Sequence, residues 1–364
     1  MWHSCRMTEA VLLVGGQGTR LRPLTINTPK PMLPVAGVPF TVHQIARARD
    51  AGVTRIVLGT SYKAEVFREF IEESDLGVEI VIATEPEPLG TGGAIRFAAE
   101  HLSSAAGDSV LVFNGDVLSG VDIKALVAHH EQSKSDVTLY LTPVDDPRAY
   151  GLVPTDRHGR VTAFLEKPTT LEGIVTNNIN AGCYVFRREV IDRIPAGRVV
   201  SVERETFPEL LSAGAMVSGV VDGGYWLDLG TPLAFVQGSR DLVRGVAPSP
   251  AVATHGDALA MAGSVIAESA NVHGGSVIGR NATVGDGAVV NGSAVFDDAR
   301  IMAGARVTNS IIGVGAVVGE HSHLDGVVVG DGAVIGAGNE LQTGVRIWPG
   351  ANIGDTAIRF SSDG

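Results

Sequence analysis

The sequence predicts two architectures in series: a layered α/β domain built on a mostly parallel sheet, and after it a parallel β-helix. Three observations carry this prediction. Apolar runs alternate with amphipathic ones through residue 132, a glycine-rich loop follows the first apolar run, and apolar residues recur every six positions beyond residue 262.

Residues 10–14 (AVLLV) have the composition of a buried first strand. Val42, Ile45 and Ala46 recur at helical spacing in 40–51, a segment that stops at Gly52. A strand over 55–59 (RIVLG), a helix over 64–73, a strand over 78–83 (VEIVIA), a helix over 91–102, a strand over 109–113 (SVLVF) and a helix over 122–132 then follow. In open sheets of this kind ligands sit beyond the carboxyl ends of the strands. That rule selects three loops, 15–30, 85–93 and 114–117, and each carries polar chemistry.

A Pro/Ser/Ala stretch over 246–262 reads as a linker. Beyond it Ile266, Val272, Ile278, Val284, Val290, Phe296 and Met302 recur every six residues, then Ile312, Val318 and Leu324, then Val329, Ile335, Leu341, Ile347 and Ile353. Seven of these 15 positions are followed directly by glycine, and a turn residue after an inward-pointing one marks a parallel β-helix of hexapeptide repeats. The breaks at 302–312 and 324–329 imply an insertion and a one-residue deletion at corners. The expected layout is a disordered tail over 1–8, an α/β domain over 9–245, the linker over 246–262, the β-helix over 263–358 and a tail over 359–364.

A chain of 364 residues with 45% hydrophobic content can fill two cores. Its formal net charge of -12 argues against a broad basic face for nucleic acid, so any phosphate binding is local. Cys5 and Cys183 match no metal spacing and fit a reducing compartment. No run reaches membrane-spanning length and residues 1–6 lack an apolar signal core, so a cytoplasmic protein is expected.

The stretch 15–30 reads GGQGTRLRPLTINTPK. Gly15, Gly16 and Gly18 leave backbone N–H groups able to point at an anion, and Arg20 and Arg22 add forks suited to phosphate. Lys30 stands between Pro29 and Pro31, which stiffens it. The pattern is neither GxxxxGK[ST] nor GxGxxG. Asp116, in Asn114-Gly115-Asp116, follows an apolar strand; it is either a turn former or a ligand to Mg²⁺, which takes one or two carboxylates alongside phosphate oxygens. Asp228 lies among apolar residues in GYWLDLGTP, where a metal would satisfy it. Glu166 can accept from sugar hydroxyls, Lys167 can neutralise a phosphate, and Asn180 can donate and accept; a surface ion pair and a turn are the alternatives.

These segments together resemble a known family. GGQGTRLRPLT with TPKP, EPLGTGGAI (87–95), NGDV (114–117), YGLV (150–153), FLEKP (164–168), NNINAGCYVF (177–186), SVERETFPELL (201–211) and GYWLDLGTP (224–232) are similar to the sugar-1-phosphate nucleotidylyltransferases. Among them the resemblance is nearest to the mannose-1-phosphate guanylyltransferases that carry a C-terminal left-handed β-helix. It implies a Rossmann-like nucleotidyltransferase domain over 9–245 and a left-handed β-helix. It also implies transfer of GMP from GTP to mannose 1-phosphate with Mg²⁺, and a homo-oligomer. Carried onto matching positions, Gly15, Gly16, Gly18, Thr19 and Arg20 would hold the triphosphate, with Arg20 on the leaving pyrophosphate. Lys30 would draw the reactants together, and Asp116 and Asp228 would hold the metal. Leu13 and Gly90 would border the nucleobase and Thr91 would bind the nucleotide, with Glu85 accepting from the adjacent N1–H and N2–H of guanine. Tyr150, Gly151, Glu166, Lys167 and Asn180 would form the sugar-phosphate pocket, with Arg204 a further phosphate candidate.

Three other readings stand beside this one. The first is a thymidylyl- or uridylyltransferase acting on glucose 1-phosphate. The second is a non-catalytic subunit that senses nucleotide sugars, and the third an acyltransferase using His273, His321 or His323 of the β-helix.

Overall fold

The computed structural model describes residues 9–167, 170, 173–252 and 256–359. The tail expected over 1–8 and nearly all of that over 359–364 lie outside them. Among the described residues, internal contacts make two compact units, 9–16 with 44–226, and 17–43 with 227–359.

The first unit holds the sheet that the alternating runs predict. Four parallel strands lie in the order Glu79–Thr84, Arg55–Thr60, Glu9–Leu13 and Ser109–Asn114. Asn178–Arg187 then pairs antiparallel with Ser109–Asn114 and with Val137–Pro143, and Val217–Val221 adds in parallel to the latter. The expected helices form at Ala64–Glu72, Gly90–Ala99 and Ile123–Ser133. They cover a core in which Val11, Val57, Val112, Leu139, Tyr184 and Phe186 are fully buried. Each such side chain contributes roughly 1.5–3 kcal/mol of burial free energy. The glycine loop leaves the strand at the middle of the parallel block, with a parallel neighbour on either side, so the crevice expected at such a strand end is furnished by sequence order alone.

In the second unit short parallel strands stack in three sheets, the arrangement of the left-handed β-helix. Its core is a column of Ile278, Val284, Val290, Val295, Ile301, Val307, Ile312, Val318, Leu324, Val329, Ile335, Leu341 and Ile347. The first strand, Ala258–Ala260, pairs with Ser276–Ile278.

The repeat register differs from the sequence expectation at two positions. Val295 and Ile301 point inward, not Phe296 and Met302; Met302 is 38% exposed, and Phe296 meets Phe235 edge-on outside the core. There is no insertion after 302. Instead three successive coils are shortened by one residue at the same corner, and a ladder of buried serines repairs it. Ser293 N–H donates to Ser276 Oγ at 3.1 Å, Ser310 N–H to Ser293 Oγ at 3.1 Å and Val327 N–H to Ser310 Oγ at 3.0 Å, each 17 residues apart. A corner that keeps its backbone hydrogen bonds this way tolerates the shorter side, because no buried donor is orphaned.

Two buried histidines, one per unit, set an expected acid sensitivity. His43 Nε2–H donates to Val35 O at 2.9 Å while Nδ1 lies 2.7 Å from Ser249 Oγ, and His130 Nδ1 lies 2.9 Å from Thr138 Oγ1. Burial pushes both imidazoles down to about 4. The unfolded chain therefore takes up these protons first, so their contribution to stability is intact above the ordinary histidine range and is lost as pH falls toward 4. At pH 5 each contributes a loss of about 2 kcal/mol relative to pH 7. Urea unfolding at the two pH values checks this. His130→Gln is expected to shrink the difference, and an undiminished difference would assign it to other groups.

No helix among the described residues is long and apolar enough to cross a membrane. The Cys183 thiol is buried and pushed up to about 12 by burial, which makes it unreactive.

Candidate functional site

In the first unit the central strand ends at Leu13, and Val14 N–H still donates to Gly59 O at 2.8 Å. A Cβ at Gly15 would come within 3.1 Å of Ser61 Oγ, whereas Gly16 is exposed with nothing within 4 Å. The room for a ligand is at Gly16; the tightness at Gly15 is packing against the protein. On the neighbouring strand, Gly115 N–H donates to Leu13 O at 2.8 Å. Any Cβ at 115 would overlap that carbonyl, so only glycine lets this turn fold over the end of the first strand. The turn delivers the half-buried Asp116 beside the strand that feeds the glycine loop.

Glu85 is 6% exposed. Its N–H donates to Thr60 O at 2.8 Å and its Oε2 accepts from Leu89 N–H at 2.9 Å. Burial raises its carboxyl above the ordinary range, against a smaller opposing effect of the Leu89 bond. Gly90 has φ +71°, and a Cβ there would lie 2.7 Å from Val200 O. Its freedom closes the loop on Val200, to which Gly92 N–H donates at 2.8 Å. Thr91 Oγ1 donates to Glu203 Oε2 at 2.8 Å and accepts from Val202 N–H at 2.9 Å, so its hydroxyl is tied to protein.

The five sugar-pocket candidates come together. Gly151 pairs with Glu166 across an antiparallel ladder, Lys167 N–H donates to Tyr150 O at 3.3 Å, and Ile179, next to Asn180, pairs with Leu152. The Glu166 side chain lies outside the described residues. Asn180 Nδ2 donates to Tyr184 OH at 2.8 Å, and its Oδ1 accepts from Gly182 N–H at 3.1 Å across a break in strand register. Arg204 is exposed, its N–H donating to Ser201 Oγ at 3.2 Å. Trp226 belongs with this group and was not among the residues selected from sequence. Its ring meets Tyr150 edge-on at 5.4 Å and its Nε1–H donates to Ala181 O at 3.0 Å. The signal was present, an aromatic pair inside GYWLDLG.

The second unit gathers Gly18, Thr19, Arg20, Lys30 and Asp228. Gly18 has φ +60°, and a Cβ there would stand 2.8 Å from Lys30 Cβ. This glycine makes room for the lysine. Thr25 Oγ1 donates to Gly18 O at 2.9 Å, fixing the turn Thr19–Leu21 that presents exposed Thr19 and Arg20. Lys30 opens the turn Lys30–Met32 after extended Pro29, and its side chain is only 8% exposed. Its Nζ lies 3.7 Å from Asp228 Oδ1, while Arg20 Nη2 lies 3.6 Å from Asp228 Oδ2. One quarter-exposed carboxylate thus faces two cations, beyond hydrogen-bond length from each. That arrangement can align phosphates, because a single carboxylate brings two cations to one place.

Among the described residues no group of three or more His, Cys, Asp or Glu side chains is placed to hold a metal. Asp116 and Asp228 each present a lone carboxylate, and a divalent metal bound mainly by phosphate oxygens and water takes only one or two such groups from a protein.

A central parallel strand feeding a glycine turn, with arginine, buried lysine and carboxylate on the segments that follow, defines an enzyme class that transfers nucleotidyl groups. Comparison with known proteins gives the same answer. Residues 9–245 match the nucleotidyl transferase family model and 254–348 match the GMPPB C-terminal domain. The mannose-1-phosphate guanylyltransferase of Mycobacterium tuberculosis is 52% identical over 98% of both chains. The mannose-1-phosphate guanylyltransferase catalytic subunit beta of Drosophila melanogaster is 39% identical over 64% of this chain and 62% of its own. The crystal structure of HddC from Yersinia pseudotuberculosis in complex with GMP-PN superposes with a TM-score of 0.55 at 29% identity, covering 65% of this chain and all of that one. The chain belongs to the nucleotidyl transferase family and, within it, to the mannose-1-phosphate guanylyltransferases. Members of this family generally use a divalent metal.

Proposed function

We propose that this enzyme transfers GMP from GTP to α-D-mannose 1-phosphate, giving GDP-mannose and pyrophosphate. The similarity to the Mycobacterium tuberculosis guanylyltransferase over 98% of both chains carries the choice of substrates.

The chemistry asks little covalent work of the protein. A phosphate oxygen of the sugar phosphate attacks the α-phosphorus in line, a P–O bond forms, and the bond to the β-phosphate oxygen breaks with its electron pair leaving on pyrophosphate. The nucleophile is already anionic, so no general base is needed and catalysis reduces to alignment and charge compensation. The backbone at Gly15 and Gly16 receives the triphosphate, Arg20 takes the departing pyrophosphate, and Lys30 offsets repulsion between the two reactants. Asp228 orients both cations toward their tasks. Mg²⁺ is the proposed metal, with Asp116 and Asp228 its protein ligands; when bound it compensates phosphate charge and polarises the reacting phosphoryl group. Tyr150, Gly151, Glu166, Lys167 and Asn180 receive the sugar phosphate.

Pyrophosphate release measured for GTP, ATP, UTP and dTTP against mannose 1-phosphate and glucose 1-phosphate tests the assignment. The pair GTP and mannose 1-phosphate is expected to give the highest kcat/KM. A preference for dTTP or UTP with glucose 1-phosphate would replace it by the rival activity.

Glu85 is the proposed reader of guanine. Replacing one charge-assisted acceptor by a neutral amide costs about 1.5–3 kcal/mol, so Glu85→Gln is expected to lower the GTP over ATP preference by about 10–100-fold. An unchanged preference in competition assays would leave Glu85 as a cap for Leu89 only.

We further place the enzyme in the cytoplasm as a homo-oligomer. Val265, Val314, Val334 and Trp348 of the β-helix, all more than a third exposed, are suited to self-association.

A further inference from the structure

The second unit seats the Arg20 loop on one face of the β-helix. In the sheet that runs from Ala258–Ala260 to Arg346–Ile347, one column of residues points inward as Val295, Ile312, Val329 and Ile347. Strand alternation then turns their neighbours outward: Val277, Ala294, Ile311, Val328 and Arg346, in register from coil to coil. The first four are at most 3% exposed although they face away from the core. The first two are covered by named neighbours: Pro34 and Gly37 line a small cavity with Val277, Ala294 and Phe296, and the helix Pro232–Val243 packs on Ser276–Ile278. The column changes character only at its last member.

Arg346 Nη1 donates to Arg20 O at 2.8 Å and to Arg22 O at 2.6 Å. These carbonyls lie at the end of the turn Thr19–Leu21, where a short helical turn has no intrahelical donors left. A guanidinium suits the spot because one planar nitrogen can serve two carbonyls while its charge stays, and because cations favour the carboxyl end of such a turn. We infer that Arg346 is a positioning residue for the transfer reaction, clamping the backbone of Arg20 and Arg22 so that the Arg20 side chain is held toward the phosphates. The inference rests on the function proposed above for Arg20, but its structural half does not. A β-helix whose other outward residues in this sheet are apolar thereby gains a direct part in setting up the active site.

Two measurements test it. Hydrogen–deuterium exchange of the amides over residues 17–27 is independent of activity; Arg346→Ala is expected to raise it at least 10-fold, with the remaining β-helix amides unchanged. Unchanged exchange over 17–27 would overturn the clamp, whatever the enzyme turns over. In steady-state assays Arg346→Ala is expected to lower kcat about 10-fold with little change in KM for the sugar phosphate, and millimolar guanidinium ion is expected to restore part of it. In an Arg20→Ala background the same substitution is expected to cost less than twofold, because the group it positions is already gone. Equal, additive losses in both backgrounds would show that Arg346 acts on stability or elsewhere, and would sink the positioning role. A wild-type enzyme that is inactive with GTP and mannose 1-phosphate, yet shows the exchange difference, would overturn the proposed reaction and leave the clamp standing.

Discussion

Lys30→Ala is expected to reduce turnover on the order of 10²–10³, the loss typical of removing one preorganised charge donor from a phosphoryl or acyl transfer site. The reason for so large an effect is placement. Lys30 is 8% exposed, stiffened by prolines on either side, and brought within 2.8 Å of where a Cβ would stand at Gly18. A lysine on a flexible surface loop would lose most of its benefit to motion and solvent screening; this one does not have that freedom. The measurement is kcat at saturating GTP and mannose 1-phosphate, with Lys30→Arg as a second variant. Arg retains charge, but its forked head is larger than the compact ammonium that this nearly buried position encloses, so it is expected to recover less than a tenth of wild-type activity. A Lys30→Ala enzyme within threefold of wild type would remove the lysine from the mechanism.

Asp228→Asn is expected to have an effect of the same order, about 10²–10³ in kcat, through a different cause. The substitution preserves shape and removes charge, so Arg20 and Lys30 lose the carboxylate that faces them at 3.6 and 3.7 Å. The Mg²⁺ concentration giving half-maximal rate is expected to rise as well, since a neutral amide oxygen is a poorer ligand for a hard cation. Initial rates across a Mg²⁺ titration read both effects at once. If thermal stability dropped while kcat and the Mg²⁺ requirement held, Asp228 would be an anchor for the two cations and nothing more.

The order of parts was legible in the sequence because it rests on strong local signals. An apolar run that stops at GGQGTR marks a strand feeding a glycine turn, and a six-residue apolar period needs a β-helix to bury it. What could not be read was any purpose set by a neighbour distant in sequence. Gly18 looks like Gly16 in the sequence, yet one makes room for Lys30 and the other leaves open space. The slip at Phe296 and Met302 has a similar origin. Both neighbours in Val295-Phe296 and Ile301-Met302 are apolar, so hydrophobicity could not choose between them, and the serine ladder that decides the matter links residues 17 positions apart. Thr91 matches the nucleotide site by resemblance alone, and the partners of its hydroxyl, Val202 and Glu203, come more than a hundred residues later. Arg346 carried no signal at all beyond being an arginine where the pattern favours apolar residues.

The contact between Arg346 and Arg20 joins positions 326 residues apart. At typical translation speeds of about 5–20 residues per second, the loop leaves the ribosome tens of seconds before the side chain that grips it exists. A nascent chain therefore carries a finished first sheet but no anchored Arg20 until the last coil is begun. Such a long-range closure is among the slow steps of folding, and it makes competence for turnover one of the last properties the newborn chain acquires.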